Sequence, residues 1–406
     1  MDKSLTATLK NFYSSTRANF LVLSIGVLCI QSCQLSNARM PHINVVKNDE
    51  IIREEKTPCL IEYKDGNQEL TLSGNIKTRG GMSVGYKKKS YGLELDQKFK
   101  LASLPKDDDW ILNASYIDKT FMRHKISYEL FEEMHKDNVA ARASYATLSY
   151  NGNPKGIYVI TEEINGSKVK LDKNDPMAML FKDPPFLYPE ILENPQDKND
   201  YYQQKFPKKF KDDKTAYIEE FRSFLFDSSD EEFDQSIGDW IDVHNVMDWY
   251  LLVLFTNNAD GIMKNFYLYK KNSTTPFRVA IWDYDHSFGR DGNNKYNMLE
   301  RGTRWERSIL FTRLMESKTM QFQKRLAERW KQLRASNIIS EENINFKIKE
   351  NEKMLRPSLE MNSGLWPNKA YYYLDDNDFD QEIAIIQKYI PLRLAQMDKE
   401  YGYTGK

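Results

Sequence analysis

Apolar and polar residues change their rhythm along this chain. Over residues 68–79 (Gln-Glu-Leu-Thr-Leu-Ser-Gly-Asn-Ile-Lys-Thr-Arg) they alternate, the period of a half-buried strand. Gly80, Gly81 and Gly85 interrupt that run, and residues 88–95 resume it, which predicts an antiparallel hairpin with a glycine-rich connection. A strand is also expected within 51–63. Residues 143–150 and 156–162 form a further strand pair around Asn151-Gly152-Asn153-Pro154, where Asn-Gly is a strong turn signal. A third pair is predicted at 265–271 and 277–282. Between these, a helix over about 119–136 capped by Asp118, and helices near 214–227 and 242–256, follow from longer apolar periods. The last of these is apolar on much of its surface and so is expected to be buried. From about residue 305 the patterning is helical, with breaks expected at Pro357, Pro367 and Pro391. Residues 183–213, with several prolines and mixed charge, read as a long loop or lid. Strands first and helices later predict an α+β fold with a sheet-rich N-terminal part, about 51–165, and a helical C-terminal part, about 166–406.

The beginning of the chain reads differently. Lys3, Lys10 and Arg17 precede an apolar run from Phe20 to Ile30, which has the length of a signal-peptide core rather than of a membrane span. Ile30-Gln31-Ser32-Cys33 then places a small residue before a cysteine, as at a bacterial lipoprotein cleavage site. Residues 1–32 are therefore expected to be a leader, with Cys33 carrying the lipid and 33–50 a polar tether; a plain cleaved signal and an uncleaved anchor are the alternatives. The expected location is a bacterial cell envelope. Of the other cysteines, Cys29 lies in the leader, and Cys59 sits among Pro58, Leu60 and Ile61 as an expected buried thiol. Once the leader has gone and Cys33 is acylated, no intramolecular disulfide can form.

Composition narrows the chemistry. The 406 residues are 40% hydrophobic and 29% charged, which excludes a disordered chain, and the net charge of −1 gives no basic field for nucleic acid. Five scattered histidines without His-x-x-x-His or Cys-x-x-Cys spacing argue against zinc. The informative stretch is Asn257 to Arg290. Asp260 is followed five positions later by Asn265, a hairpin comes next, and its second strand ends in Trp282-Asp283-Tyr284-Asp285. Protein kinases use the same order of parts, with an Asp that orients the acceptor hydroxyl and an Asn and a second Asp that hold magnesium. The bland alternative is a capped helix followed by a surface hairpin with turn carboxylates. Val279-Ala280-Ile281-Trp282 argue against it, because a buried strand delivers its terminal acids to a cleft floor.

Several blocks resemble the CotH family of atypical kinases: Ile76–Gly80 with Lys88-Lys89-Ser90-Tyr91; Asp107–Trp110 with Asp118–Arg123; Tyr150-Asn151-Gly152 through Tyr158 with Thr161-Glu162; and Asn258-Ala259-Asp260, Asn265 and Trp282–Asp285. The resemblance covers about residues 60–290. It implies a two-lobe kinase-like fold and ATP- and Mg2+-dependent (or Mn2+-dependent) phosphorylation of protein Ser or Thr. It also implies Asp260 as the catalytic acidic residue, and Asn265, Asp283 and Asp285 as metal contacts. Lys88 or Lys89, with Arg79 and Glu162, is implied at the nucleotide. Each has a structural competitor: a solvated lysine, a glycine turn, a strand-end Glu, and for Arg123 a surface ion pair. Two other functions remain open on the residues alone. One is a catalytically silent cell-surface binding module or adhesin, suggested by the anchor and by Tyr201, Tyr202 and Tyr371–Tyr373. The other is a metal-dependent hydrolase using Asp283 and Asp285.

Overall fold

The computed structural model describes residues 39–185, 187, 188, 202–290, 299, 300, 302–367 and 376–405. The leader, Cys33, Tyr201 and Tyr371–Tyr373 lie outside them. Twelve strands and eight α-helices are described, an α+β fold as expected.

Seven strands close into a barrel in the order β1-β2-β3-β4-β5-β8-β7. They are β1 (His42–Val46), β2 (Thr57–Asp65), β3 (Gln68–Arg79), β4 (Ser90–Phe99), β5 (Asp107–Asn113), β7 (Ala143–Tyr150) and β8 (Asn153–Glu162). Alternation fills the interior. In β2, Cys59, Ile61 and Tyr63 point inward while Leu60, Glu62 and Lys64 face out. Ile43, Val45, Ile76, Leu93, Leu112, Leu148 and Ile160 complete the same core. Cys59 is a buried free thiol, as expected, and burial pushes it up to about 11. Gly74 lets β3 and β4 approach, since a Cβ there would lie 2.5 Å from the carbonyl oxygen of Glu94.

Barrel closure corrects the tether. Residues 42–46 lie inside the stretch read as a polar linker, yet they form β1, which pairs antiparallel with β2 and parallel with β7. Ile43 and Val45 are fully buried. The alternation in His-Ile-Asn-Val-Val is too short to stand out, and the parallel partner is about a hundred positions away.

A second sheet has the order β10-β9-β11-β12-β6. It comprises β6 (Val139–Ala140), β9 (Met179–Lys182), β10 (Gln203–Phe206), β11 (Phe266–Lys270) and β12 (Arg278–Ile281). It shares a core with the helices: α1 (Arg123–Met134), α2 (Thr215–Asp227), α3 (Asp230–Trp240), α4 (Val243–Thr256), α5 (Ile309–Glu316), α6 (Phe322–Ala335), α7 (Glu341–Leu365) and α8 (Phe379–Tyr401). The assembly is not cut near residue 165. α1 and β6, from the first half of the chain, pack with the second sheet rather than inside the barrel. α4 is buried along nearly its whole surface and is capped by Asp242, whose carboxylate accepts the Asn245 N–H.

Other expectations shift. α1 begins at Arg123 rather than about 119, because Asp118 holds the preceding turn instead of capping the helix. Pro357 and Pro391 sit inside α7 and α8 and do not end them. Pro357 faces solvent, where the carbonyl it leaves unpaired need not be buried, and the buried stripe of the helix runs on past it. The stretch 183–213 is not all loop: β10 adds an edge strand, and Tyr202 is buried with its hydroxyl donating to Glu219. No helix among the described residues is long and apolar enough to cross a membrane.

Candidate metal centre and its surroundings

The register of the second sheet gathers three strand ends. β11 pairs with β12 through Phe266↔Ile281 and with β9 through Tyr267↔Lys182. The residues just beyond these pairs, Asp183, Asn265 and Trp282-Asp283, therefore fall at one end of the sheet. The Trp282 N–H donates to the Asn265 carbonyl at 2.9 Å, and the Phe266 N–H donates to Asp183 Oδ1 at 3.1 Å. Asn257, Asn265, Asp283 and Asp183 all have positive φ, between 45° and 67°. Left-handed backbone costs least at Asn and Asp, and its concentration here marks a place where geometry is held against local preference.

Asp283 is gripped by its backbone. Its N–H donates to the Tyr128 hydroxyl, and its carbonyl accepts from the side-chain amides of both Asn258 and Asn265, each contact at 3.1 Å. The carboxylate is thereby left to face Asp285 and His124; ligand atoms of these three residues lie within 4.8 Å of one another. Burial, and then the charge of Asp283, push Asp285 up to about 6, while His286 and His124 pull it down. Burial also raises Asp183, with Asp283 adding to the effect.

Chemistry separates the three. His124 Nδ1 accepts the Tyr284 N–H at 2.9 Å, so the neutral ring carries its proton on Nε2. That nitrogen faces Asp283 Oδ1 at 3.7 Å; the Asn113 side-chain amide nitrogen, 3.3 Å away, is itself a donor and is not its partner in this tautomer. A ring so held offers an N–H rather than a lone pair. The atoms left for a cation are carboxylate oxygens of Asp283 and Asp285. Asn265, whose amide nitrogen is committed to Asp283, adds its amide oxygen. Asn258 Oδ1 is buried without a donor among the described residues, a further oxygen suited to a positive neighbour. This hard-oxygen set fits Mg2+ or Mn2+ and does not resemble a zinc site.

The remaining expected residues are spread around this centre. Asp260 lies in the turn after α4, half-exposed, with its carboxylate 3.1 Å from Lys264 Nζ. Trp249 and Tyr188 donate to the Gly261 and Ile262 carbonyls and hold that turn. The Arg79 guanidinium lies 5.7 Å from the Trp282 ring centroid, beside the acids. Lys182 and Lys205, which the sequence did not single out, contribute positive charge nearby. Glu162 pairs with Lys168 at 2.5 Å and accepts the Arg142 N–H, not a contact from Lys88. Lys88 and Lys89 precede β4 instead of lying on it. Lys89 donates to the Val84 carbonyl, and Lys88 is buried against Ile157 and α7.

Beside the acids runs a matched ion network, and it corrects the surface reading of Arg123. That residue is fully buried, bonding Asp118 at 2.6 Å, Glu382 at 3.2 Å and the Ser287 carbonyl at 3.0 Å. Arg290 completes it at 2.9 Å from Glu382. Burial opposes the charge on Asp118, but Arg123 and Thr120 hold its carboxyl below the usual range. The network ties the segment that follows Asp285 to α8. His124 and Asp183 escaped the sequence because neither belongs to a spacing motif. His124 is legible only as the residue after Arg123 on the predicted helix.

The chain is 26% identical to the inner spore coat protein H of Bacillus subtilis (strain 168) over 326 residues, covering 79% of this chain and 85% of the relative. Residues 76–397, a span that holds Arg79, Asp183, Asp260, Asp283 and Asp285, match the profile described as CotH kinase protein. The chain belongs to the CotH kinase family.

Proposed function

We propose that the protein is an ATP- and Mg2+-dependent kinase that phosphorylates Ser or Thr hydroxyls of a protein substrate. The barrel is the counterpart of a kinase N-lobe, and the second sheet with its helices that of a C-lobe. The observation that carries this reading is the convergence of Asp283, Asp285 and Asn265 at one sheet end, downstream of Asp260 in the order kinases use. Asp283, Asp285 and Asn265 would hold the metal, which when bound neutralises the triphosphate and polarises the transferring phosphoryl group. Arg79, Lys182 and Lys205 draw the phosphates to the same end. Asp260 accepts the proton of the acceptor hydroxyl, and Lys264 Nζ, 3.1 Å from its carboxylate, orients it. Lipidation of Cys33 holds the enzyme at the cell envelope.

The full chain, incubated with labelled ATP, Mg2+ or Mn2+ and a Ser-rich acceptor, should transfer phosphate. Asp260→Asn and Asp283→Asn should each abolish transfer; label transfer that survives both would falsify the assignment. Mass spectrometry of the membrane-expressed protein should find acyl chains on Cys33, and Cys33→Ala should release it from the membrane. The coat protein named among its relatives favours a second reading, a binding module that keeps the fold without the chemistry. Under that reading, partner binding is indifferent to Asp283→Asn and no transfer is seen.

A further inference from the structure

A second charged site lies where α7 docks on the barrel. The Ile157 peptide of β8 is held from both sides: its N–H donates to Asn362 Oδ1 at 3.0 Å, and its carbonyl accepts from Lys88 Nζ at 2.5 Å. Gly156 makes the approach possible. Its φ is +89°, and a Cβ there would lie 2.4 Å from Asn362 Oδ1. Trp366 Nε1 donates to the Lys155 carbonyl and fixes the end of the helix.

This docking leaves a cavity of about 50 Å³, room for a few waters or one small ion. Its walls include Lys88, Lys119, Ser115, Tyr116, Asn362 and Trp366, and no acidic residue among the described residues lines it. Lys88 is 3% exposed, with its ammonium 4.7 Å and 5.2 Å from the Tyr158 and Phe121 ring centroids. Burial alone draws it down to about 7, and no carboxylate offsets that cost. Lys119 Nζ donates to the Asn377 carbonyl at 2.7 Å. Ser115 Oγ is buried and has no partner among the described residues. Buried polar groups without partners are rare, and a buried lysine without an acid is rarer. Both needs are met by one ligand that is negative and accepts hydrogen bonds.

We infer that this cavity binds a small free oxyanion of phosphate or carboxylate type, with the Lys88 ammonium and the Ser115 hydroxyl as its donors. The ion fastens α7 to the barrel, because Lys88 and Asn362 share the Ile157 peptide. None of the wall residues belongs to the acid cluster, so the inference does not depend on the kinase reading.

The test is calorimetric titration of the full chain with inorganic phosphate, and separately with acetate, with and without saturating Mg·ATP. Phosphate should bind the wild type and Asp283→Asn equally, and Mg·ATP should not displace it. Lys88→Met should weaken binding at least about tenfold, and the milder Ser115→Ala should weaken it about threefold or more. Circular dichroism identifies any variant that fails to fold, and Ser115→Ala decides the matter if Lys88→Met does. Absence of binding, or binding that both variants leave intact, overturns the site. Competition by Mg·ATP, lost in Asp283→Asn, overturns it in another way, by making Lys88 part of the nucleotide site.

Discussion

Asp118 and Glu382 lie close to Asp283 and Asp285, and the two pairs are opposites. Each carboxylate of the first pair is met by a guanidinium, with side chains almost entirely out of solvent. The carboxylates of the second pair face each other, partly exposed, and among the described residues the cationic groups within 4 Å of them are imidazoles rather than guanidinium groups. Arg123 and His124 are neighbours on α1, yet one serves the matched set and the other the unmatched set. The difference is between charge that holds the fold and charge that waits for a ligand. A buried ion pair deprived of one partner leaves an isolated charge, whereas a cluster of like charges deprived of one member is relieved.

The comparison can be broken at several points. Removing a matched acid should do most harm: Glu382→Ala takes away the carboxylate that Arg123 and Arg290 share and leaves two guanidinium groups with only Asp118 between them in the network, and should cost roughly 3–5 kcal/mol in urea unfolding. A loss below about 1 kcal/mol would show that the network is not what holds the α8 end. Asp283→Asn should instead spare stability while reducing phosphate transfer on the order of 10³-fold, equivalent to about 4 kcal/mol of barrier. Asp285→Asn should stabilise the metal-free protein. The carboxyl is raised in the fold from its ordinary 3.8 to about 6, so its ionisation opposes folding; the penalty appears as pH rises through that interval and is full above it. The gain should be about 1–2 kcal/mol at pH 8 and vanish near pH 4, read as a melting shift at the two pH values. An equal gain at both would refute the charge origin. Mg2+ should raise the Tm of the wild type and should fail to raise that of the same variant. Tyr128→Phe, which removes the acceptor for the Asp283 N–H, should have the smallest effect, about 1 kcal/mol, with faster amide exchange at Asp283.

Legibility divided along the same line. The hairpins β7–β8 and β11–β12 were readable because alternation and an Asn-Gly turn are local signals, and Asp283 and Asp285 were readable because a hairpin delivers them. β1 was not, since what makes it a strand is a parallel partner far along the chain. Pro357 read as a stop because the sequence does not tell which face of a helix a proline occupies. Arg123 read as a surface residue because its second carboxylate, Glu382, is 259 positions away, and Asp118 read as a cap because the buried Arg123 that engages it was not recognised as its partner. Lys88 and Lys89 read as strand residues, but the strand begins one residue later, so neither obeys the inward–outward rule used to choose between them.

The way β1 closes the barrel has a mechanical consequence. The strand is bonded along both edges, so tension applied from the N-terminal side acts along the strand and loads the two ladders together, in shear, instead of peeling bonds off one by one. A protein moored by its first residues would meet a drag force first at this doubly bonded strand, ahead of its sheet-end acids and α7 cavity.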